Sequence, residues 1–331
     1  MCHLTGPFRV CFDSSMDRRS FLHTLGKLVA LSSPELWSCS VTEAASLDRF
    51  RLGIINDEVS YDLEEALRFL RSYKLGWIEL RELWQEDYYI TALSKKELRR
   101  VKDLLEKYQM KVSVIATYLY KCTLPGSQLG ITPKRNYYKY SQQNDVLKRA
   151  IEIAHFLDCH FLRVFSFWRT RHPQAVYRQV VDHLQRAIEL SQKAGVRVLL
   201  ENESNCNVGT GAELKRIAAE IPSEFFGINW DPGNAFALNE VPYPDGYQQL
   251  PADRIFHCHL KDIRARTGGQ EHPWLPIGKG NIDFLGQLRA LDKAGYQGTL
   301  SLETHYIPPG GTAEDGSHES MKGLLEVIAK V

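Results

Sequence analysis

The sequence predicts an α/β barrel of eight strand–helix units, a (β/α)8 fold in one domain, on three observations. From about residue 50 onward, apolar strand-like runs alternate with segments of helical period. Eight such units fill roughly 280 residues, the usual size for this architecture. Four of the later runs each end in a metal-binding side chain: Val196 to Glu201, Phe226 to Asp231, Ile255 to His259 and Thr299 to Glu303. In a barrel of parallel strands the C-terminal strand ends share one face, and active sites sit there.

Strands are expected near 52–56, 77–81, 111–116, 160–165, 196–201, 226–231, 255–260 and 298–303. The intervening helices carry start signals. Asp62 precedes Glu65, Ser94 precedes Glu97 and Thr210 precedes Glu213, each at capping-box spacing before an apolar-periodic run. Leu63, Ala66, Leu67 and Leu70 fall on one helical stripe. Gly195 is a natural helix stop ahead of the fifth strand. The interval from Tyr118 to Asn144, rich in Tyr, Lys and Gly, reads as an elaborated loop over the barrel mouth.

The chain has 331 residues, 44% hydrophobic and 24% charged, as in soluble globular proteins with a full core. A net charge of +1 gives no electrostatic pull toward nucleic acid or an anionic membrane. The seven cysteines form no CxxC pair and no even framework, against a disulfide scaffold or a zinc ribbon. Residues 1–48 differ from the barrel segment 49–331. Met16-Asp17-Arg18-Arg19-Ser20-Phe21-Leu22 resembles a twin-arginine export signal, an apolar run from Leu22 to Leu31 follows, and small residues end at Ala44-Ala45. This reads as a disordered or cleaved export segment, with Met16 a candidate start and the periplasm the expected destination. His23 and Lys27 inside the run suit the alternative, an amphipathic extension of a cytoplasmic protein. No later stretch reaches the roughly 18 apolar residues of a membrane span.

Glu201, Asp231, His259 and Glu303 would converge at the C-terminal face as three carboxylates and an imidazole. That donor set suits one divalent cation, Mn²⁺, Mg²⁺ or Co²⁺ by preference, with Zn²⁺ admissible. Singly, each residue has an ordinary explanation; Asp231, for example, opens Asp-Pro-Gly, a common turn former. The joint pattern is more specific. Glu303 ends a segment that should be a buried parallel strand, where an unpaired carboxylate is costly. His257 and His259 alternate along one strand and so share a face. A cation held by two oxygens of an α-hydroxy carbonyl compound acidifies the C–H between them and stabilises the enediolate. Two glutamates from different strands can then remove and return the proton. Return to the neighbouring carbon interconverts aldose and ketose; return to the opposite face of the same carbon gives an epimer.

These residues resemble the xylose-isomerase-like TIM barrels, the sugar phosphate isomerase/epimerase family, which also contains inosose dehydratases and endonuclease IV. The resemblance covers about residues 50–331. It is carried by Leu200-Glu201-Asn202, Asp231-Pro232-Gly233-Asn234, His259-Leu260-Lys261-Asp262, Ile277-Gly278-Lys279-Gly280-Asn281-Ile282-Asp283-Phe284 and Leu300-Ser301-Leu302-Glu303. It implies Glu201, Asp231, His259 and Glu303 as metal ligands, with Glu201 and Glu303 as the acid/base pair. Asn234 and Lys261 lie where the family contacts substrate, and His257 joins them as a candidate contact. The ketose 3-epimerase members place a Glu and an Arg where this chain has Asn207 and Ala265. Endonuclease IV needs more ligands and a basic surface, against a nucleic-acid partner. The expectation is a metal-dependent isomerase or epimerase acting on a small carbohydrate or polyol-derived carbonyl compound, with a homo-oligomer compatible. A lyase or dehydratase on the same site, and a non-catalytic sugar-binding barrel, are the alternatives. Tyr118, Tyr120, Phe167 and Trp168 are candidates for a sugar-stacking wall, and Gly278-Lys279-Gly280 reads as a turn.

Overall fold

A computed structural model describes residues 49–135, 137–265 and 272–331. Eight parallel strands appear at the expected places: β1 Arg51–Ile54, β2 Trp77–Leu80, β3 Lys111–Ala116, β4 Phe161–Val164, β5 Arg197–Glu201, β6 Phe226–Trp230, β7 Ile255–Leu260 and β8 Thr299–Leu302. They pair in the order β1-β8-β7-β6-β5-β4-β3-β2. The two ends of that order meet at a single bridge, Ile55 to Glu79, so the barrel is nearly closed. The export segment proposed for residues 1–48 lies outside the described residues. No described helix is long and apolar enough to cross a membrane.

The helices between the strands are α1 Leu63–Ser72, α2 Lys95–Tyr108, α3 Gln143–Phe156, α4 Tyr177–Ser191, α5 Gly211–Glu220, α6 Pro232–Ala237, α7 Phe284–Lys293 and α8 Ala313–Ile328. Asp62, Ser94 and Thr210 all cap their helices, each contribution being about 1 kcal/mol. Only Ser94 and Glu97 close the reciprocal box. Glu65 turns instead to the Ser60 hydroxyl, and Glu213 to Arg169 and the Gly209 N–H. Thr312 and Asp315 form a further box at α8 that the sequence reading passed over. Gly195 ends the α4 segment at φ +70°, as its position predicts.

The strands have two buried faces of opposite character. Outward, Leu52, Ile54, Ile78, Val198, Leu200 and Ile228 join Leu63, Leu67, Val180 and Leu184 of the helices in the main apolar core. Inward, the barrel carries Glu79 on β2, Arg163 on β4, Asn229 on β6, His257 and His259 on β7 and Ser301 on β8, all fully buried. Barrels of this kind usually fill that space with Val, Ile and Leu. Here the interior is a column of hydrogen-bonding groups leading to the C-terminal face.

Asp262 fixes the rim. It opens a two-residue antiparallel ribbon, Asp262–Ile263 with Trp274–Leu275. Its carboxylate accepts the N–H groups of Gly278 and Gly280 at 2.9 Å, Ile282 at 3.3 Å and Ile263 at 2.9 Å. A Cβ at Gly280 would collide with Asp262 Oδ1. The Gly278-Lys279-Gly280 turn is therefore wrapped on an internal anion and needs no phosphate to explain it. Asp262→Ala would leave these donors without an acceptor, and a loss of about 2–4 kcal/mol is expected. Urea unfolding should show a lower midpoint with an unchanged slope; an unmoved midpoint would mean the loop is held by other contacts.

Candidate active site and metal centre

Four strand ends deliver the four candidate ligands. Glu201 is the last residue of β5 and Glu303 follows β8, its N–H bonded to the Leu260 carbonyl at 3.0 Å. Asp231 follows β6 and caps α6, accepting the Asn234 N–H on Oδ1 at 3.0 Å. His259 stands next to last in β7. Donor atoms of all four lie within 4.8 Å of one another, and all four residues are buried. The focus is His259 Nδ1, 3.4 Å from Glu201 Oε1, 3.8 Å from Asp231 Oδ2 and 3.4 Å from Glu303 Oε2.

Each carboxylate thus turns one oxygen inward, and its other oxygen is tied. Arg163 Nη1 donates to Glu201 Oε2 at 3.0 Å, and Arg81 Nη1 to Glu303 Oε1 at 2.7 Å. Arg81 is itself gripped by Asp57 and by Glu58. Lys261 Nζ donates to Glu303 Oε2 at 2.7 Å. It also lies 2.8 Å from Asp231 Oδ2, but off the hydrogen-bonding direction, which leaves Oδ2 buried without a hydrogen-bond partner. Asn234 Nδ2 donates to Glu201 Oε1 at 3.2 Å. Asn234 and Lys261 are therefore gathered onto the ligand set. His257 is not. Its Nε2 contacts Glu79 Oε2 at 2.8 Å, and it lines a cavity of about 800 Å³ at the N-terminal ends of the strands. That cavity is at the end of the barrel away from the carboxylates, so volume alone does not mark the site.

Glu79 was not picked out from the sequence, yet it organises the histidines. From β2 it reaches across the barrel interior to His257 and to His259 Nε2, the latter at 3.1 Å. A carboxylate on one ring nitrogen directs the other toward a metal and fixes the tautomer. The acid within Trp77-Ile78-Glu79-Leu80 gives the same signal that marks Glu303, a charge inside an apolar run. Arg163 in Phe161-Leu162-Arg163-Val164 repeats it with a cation. Lys121 and Glu203 also escaped notice; they pair at 2.7 Å in a setting of Phe165, Tyr118, Tyr137 and Trp168 rings. The four aromatic candidates do not form one wall. Tyr118 and Trp168 belong to a cluster with Tyr89 and Phe165, whereas Tyr120 and Phe167 pack with His183 of α4. Asn207 ties the loop after β4, donating to the carbonyls of Ser166 and Trp168 and accepting the Thr170 N–H.

The charges follow from this packing. Burial resists the imidazolium of His259, but Glu79, Glu201 and Glu303 outweigh it and hold the group well above its ordinary value. Burial also resists ionisation of Glu303, and Lys261, His259 and His305 overcome it to hold the carboxyl well below the usual range. For Asp231 burial prevails over Lys261, pushing it up to about 6. Burial works against the Glu203 charge, yet Lys121 and Lys261 bring it down to about 2. Three carboxylates with inward oxygens and an imidazole aimed at them, with Asp231 Oδ2 met only by the Lys261 ammonium, fit a divalent cation. Glu201, Asp231, His259 and Glu303 could hold it.

The family model described as the xylose isomerase-like TIM barrel matches residues 67–327. An uncharacterized protein of Methanocaldococcus jannaschii is 26% identical over 244 residues, 71% of this chain and 77% of its own. An inosose dehydratase of Lacticaseibacillus casei is 24% identical over 147 residues, 40% of this chain; the match spans 48% of that enzyme. Among solved structures, the IolI protein with a bound zinc atom aligns at TM-score 0.67 and 18% identity, over 85% of this chain and 99% of that one. A Mycobacterium smegmatis barrel in complex with magnesium aligns at 0.61 and 16%, over 81% and 89%. A D-tagatose 3-epimerase-like protein aligns at 0.60 and 20%, over 84% and 98%.

A metal ligand must be neutral imidazole or ionised carboxylate, so uptake of the ion displaces protons. With His259 held protonated, uptake at pH 7.5 should release about one proton per ion. Below about pH 6, where Asp231 also carries a proton in the metal-free protein, release should rise and affinity fall. Calorimetric titration in buffers of different ionisation heat measures this. Heats independent of buffer at pH 7.5 would remove His259 from the ligand set, and His259→Gln should abolish the release at that pH.

Proposed function

The chain belongs to the xylose isomerase-like TIM-barrel family, and from that footing we propose a divalent-metal-dependent isomerase or epimerase acting on a sugar or polyol-derived carbonyl compound. The observation that carries the reading is the matched pair of glutamates. Glu201 and Glu303, on different strands, each present one oxygen 3.4 Å from His259 Nδ1. A bound divalent cation would polarise the substrate carbonyl and acidify the adjacent C–H. Glu201 and Glu303 then serve as the proton-removing and proton-returning groups, and ionised carboxylates suit both roles once Asn234 and Lys261 turn from their inward oxygens to the substrate. Asn234 and Lys261, already hydrogen-bonded to these carboxylates, are placed to turn toward substrate hydroxyls. His257, which the sequence suggested as a contact, we assign instead to holding Glu79.

The charge pattern favours a neutral substrate. Arg81, Arg163, Lys121 and Lys261 each face a carboxylate already, so these buried cations hold no surplus charge for a phosphate group. An unphosphorylated substrate also suits the export that Arg18-Arg19 suggests. The likeness to an inosose dehydratase supports a second reading, in which the enediolate expels a β-leaving group instead of being reprotonated.

The test is exchange of substrate C–H with deuterated solvent, across a panel of free ketoses and inososes with Mn²⁺ or Mg²⁺ supplied. Glu201→Gln and Glu303→Gln keep an oxygen donor and remove the base; each should lower exchange by roughly 10²–10⁴-fold. Near wild-type exchange in either variant would exclude that residue as the proton carrier. Loss of water from the product would select the dehydratase reading, and no exchange with any compound would favour a binding barrel.

A further inference from the structure

The two glutamates are tethered in the same way by unlike surroundings. Glu201 Oε2 is held by Arg163 Nη1 and Glu303 Oε1 by Arg81 Nη1, at 3.0 and 2.7 Å. Arg81 is saturated: Nε donates to Asp57 and Nη2 to Glu58. Arg163 is not. It is fully buried with its guanidinium carbon 4.4 Å from the Phe165 ring centroid, and its Nε and Nη2 have no hydrogen-bond partner among the described residues. Buried donors without acceptors are costly, and an apolar side chain of similar volume would fill the space at less cost. The favourable contact of the Arg163 guanidinium is therefore with Glu201 and the rings around it, and its polar action falls on one oxygen.

A free carboxylate can take a hard cation with either one oxygen or both. An arginine on the outer oxygen removes the second mode. We propose that Arg163, matched by Arg81, is a positioning residue that confines its glutamate to a single inward oxygen, so that four ligand atoms from the protein leave two of six metal positions for the substrate. An α-hydroxy carbonyl compound needs both. The proposal rests on the metal-centre reading above and concerns a residue that touches neither metal nor substrate.

Mn²⁺ alone, added to the full-length protein, is the probe. Calorimetry counts the ions bound, and water-proton relaxation counts the solvent molecules exchanging at bound Mn²⁺. Wild type should bind one ion with about two exchanging waters. Arg163→Met should still bind one ion but show about one water, a roughly twofold fall in relaxation enhancement, because Glu201 then chelates with both oxygens. Arg163→Lys, which keeps a donor for Oε2, should return the count to about two. Where Arg163→Met is not recovered folded, Arg163→Gln, too short to tether Glu201, carries the same expectation. Two waters in the Met or Gln variant would overturn the proposal while leaving the metal centre standing. Failure of wild type to bind Mn²⁺ would overturn both.

Discussion

Carboxylates at the ends of buried strands have to be given opposite charge, and most of this barrel's interior answers that requirement. Glu58, Glu201, Glu203, Asp231 and Glu303 are drawn out of water by the same strands and loops that form the fold. Arg81, Arg163, Lys121 and Lys261 are buried among them within hydrogen-bonding reach. Removing one partner of such a pair leaves the other stranded, at a typical cost of about 3–5 kcal/mol. The ion pairs are thus less a source of stability than a condition the site imposes on the whole barrel. A divalent ion entering the centre would join this balance as one more cation.

The same balance explains why one oxygen of each candidate ligand faces inward. Tethers come from a guanidinium on Glu201, a guanidinium on Glu303 and a backbone N–H on Asp231. Lys261 adds a buried charge that bridges Glu303 and Asp231. The centre is consequently ordered before any ligand arrives, which is how a site limits the reorganisation that chemistry would otherwise require.

The strands and the candidate ligands were legible in the sequence, and the residues that brace those ligands from behind were not. Strand positions followed from apolar runs, and the ligand residues stood out because each closes such a run before a polar loop. Glu79 and Arg163 lie within runs, one residue short of the end, where a single polar residue looks like an interruption. Their meaning depends on which strand stands opposite. Glu79 meets His259 only because closing the barrel brings β2 within reach of β7, three places round the ring, and nothing local to Trp77-Ile78-Glu79-Leu80 records that. His257 was misplaced for the related reason that a shared strand face says nothing about height along the barrel. Likewise, the start signals at Asp62 and Thr210 predicted caps correctly, while tertiary partners decided where Glu65 and Glu213 turned.

The link between Glu79 and His259 also bears on how the chain comes to be folded. Strands β1 to β4 emerge first during synthesis, carrying Glu79 and Arg163 toward the axis, while their partners His257, His259 and Glu201 are still to be made. A half-barrel of this sequence would expose an uncompensated acid and an uncompensated base along its concave face. Other barrels with aliphatic interiors have no such debt between halves. Here the first half gains its proper surroundings only when β5 and β7 arrive, so assembly is cooperative across the midpoint of the chain, and the two halves are poorly suited to exist as separate fragments.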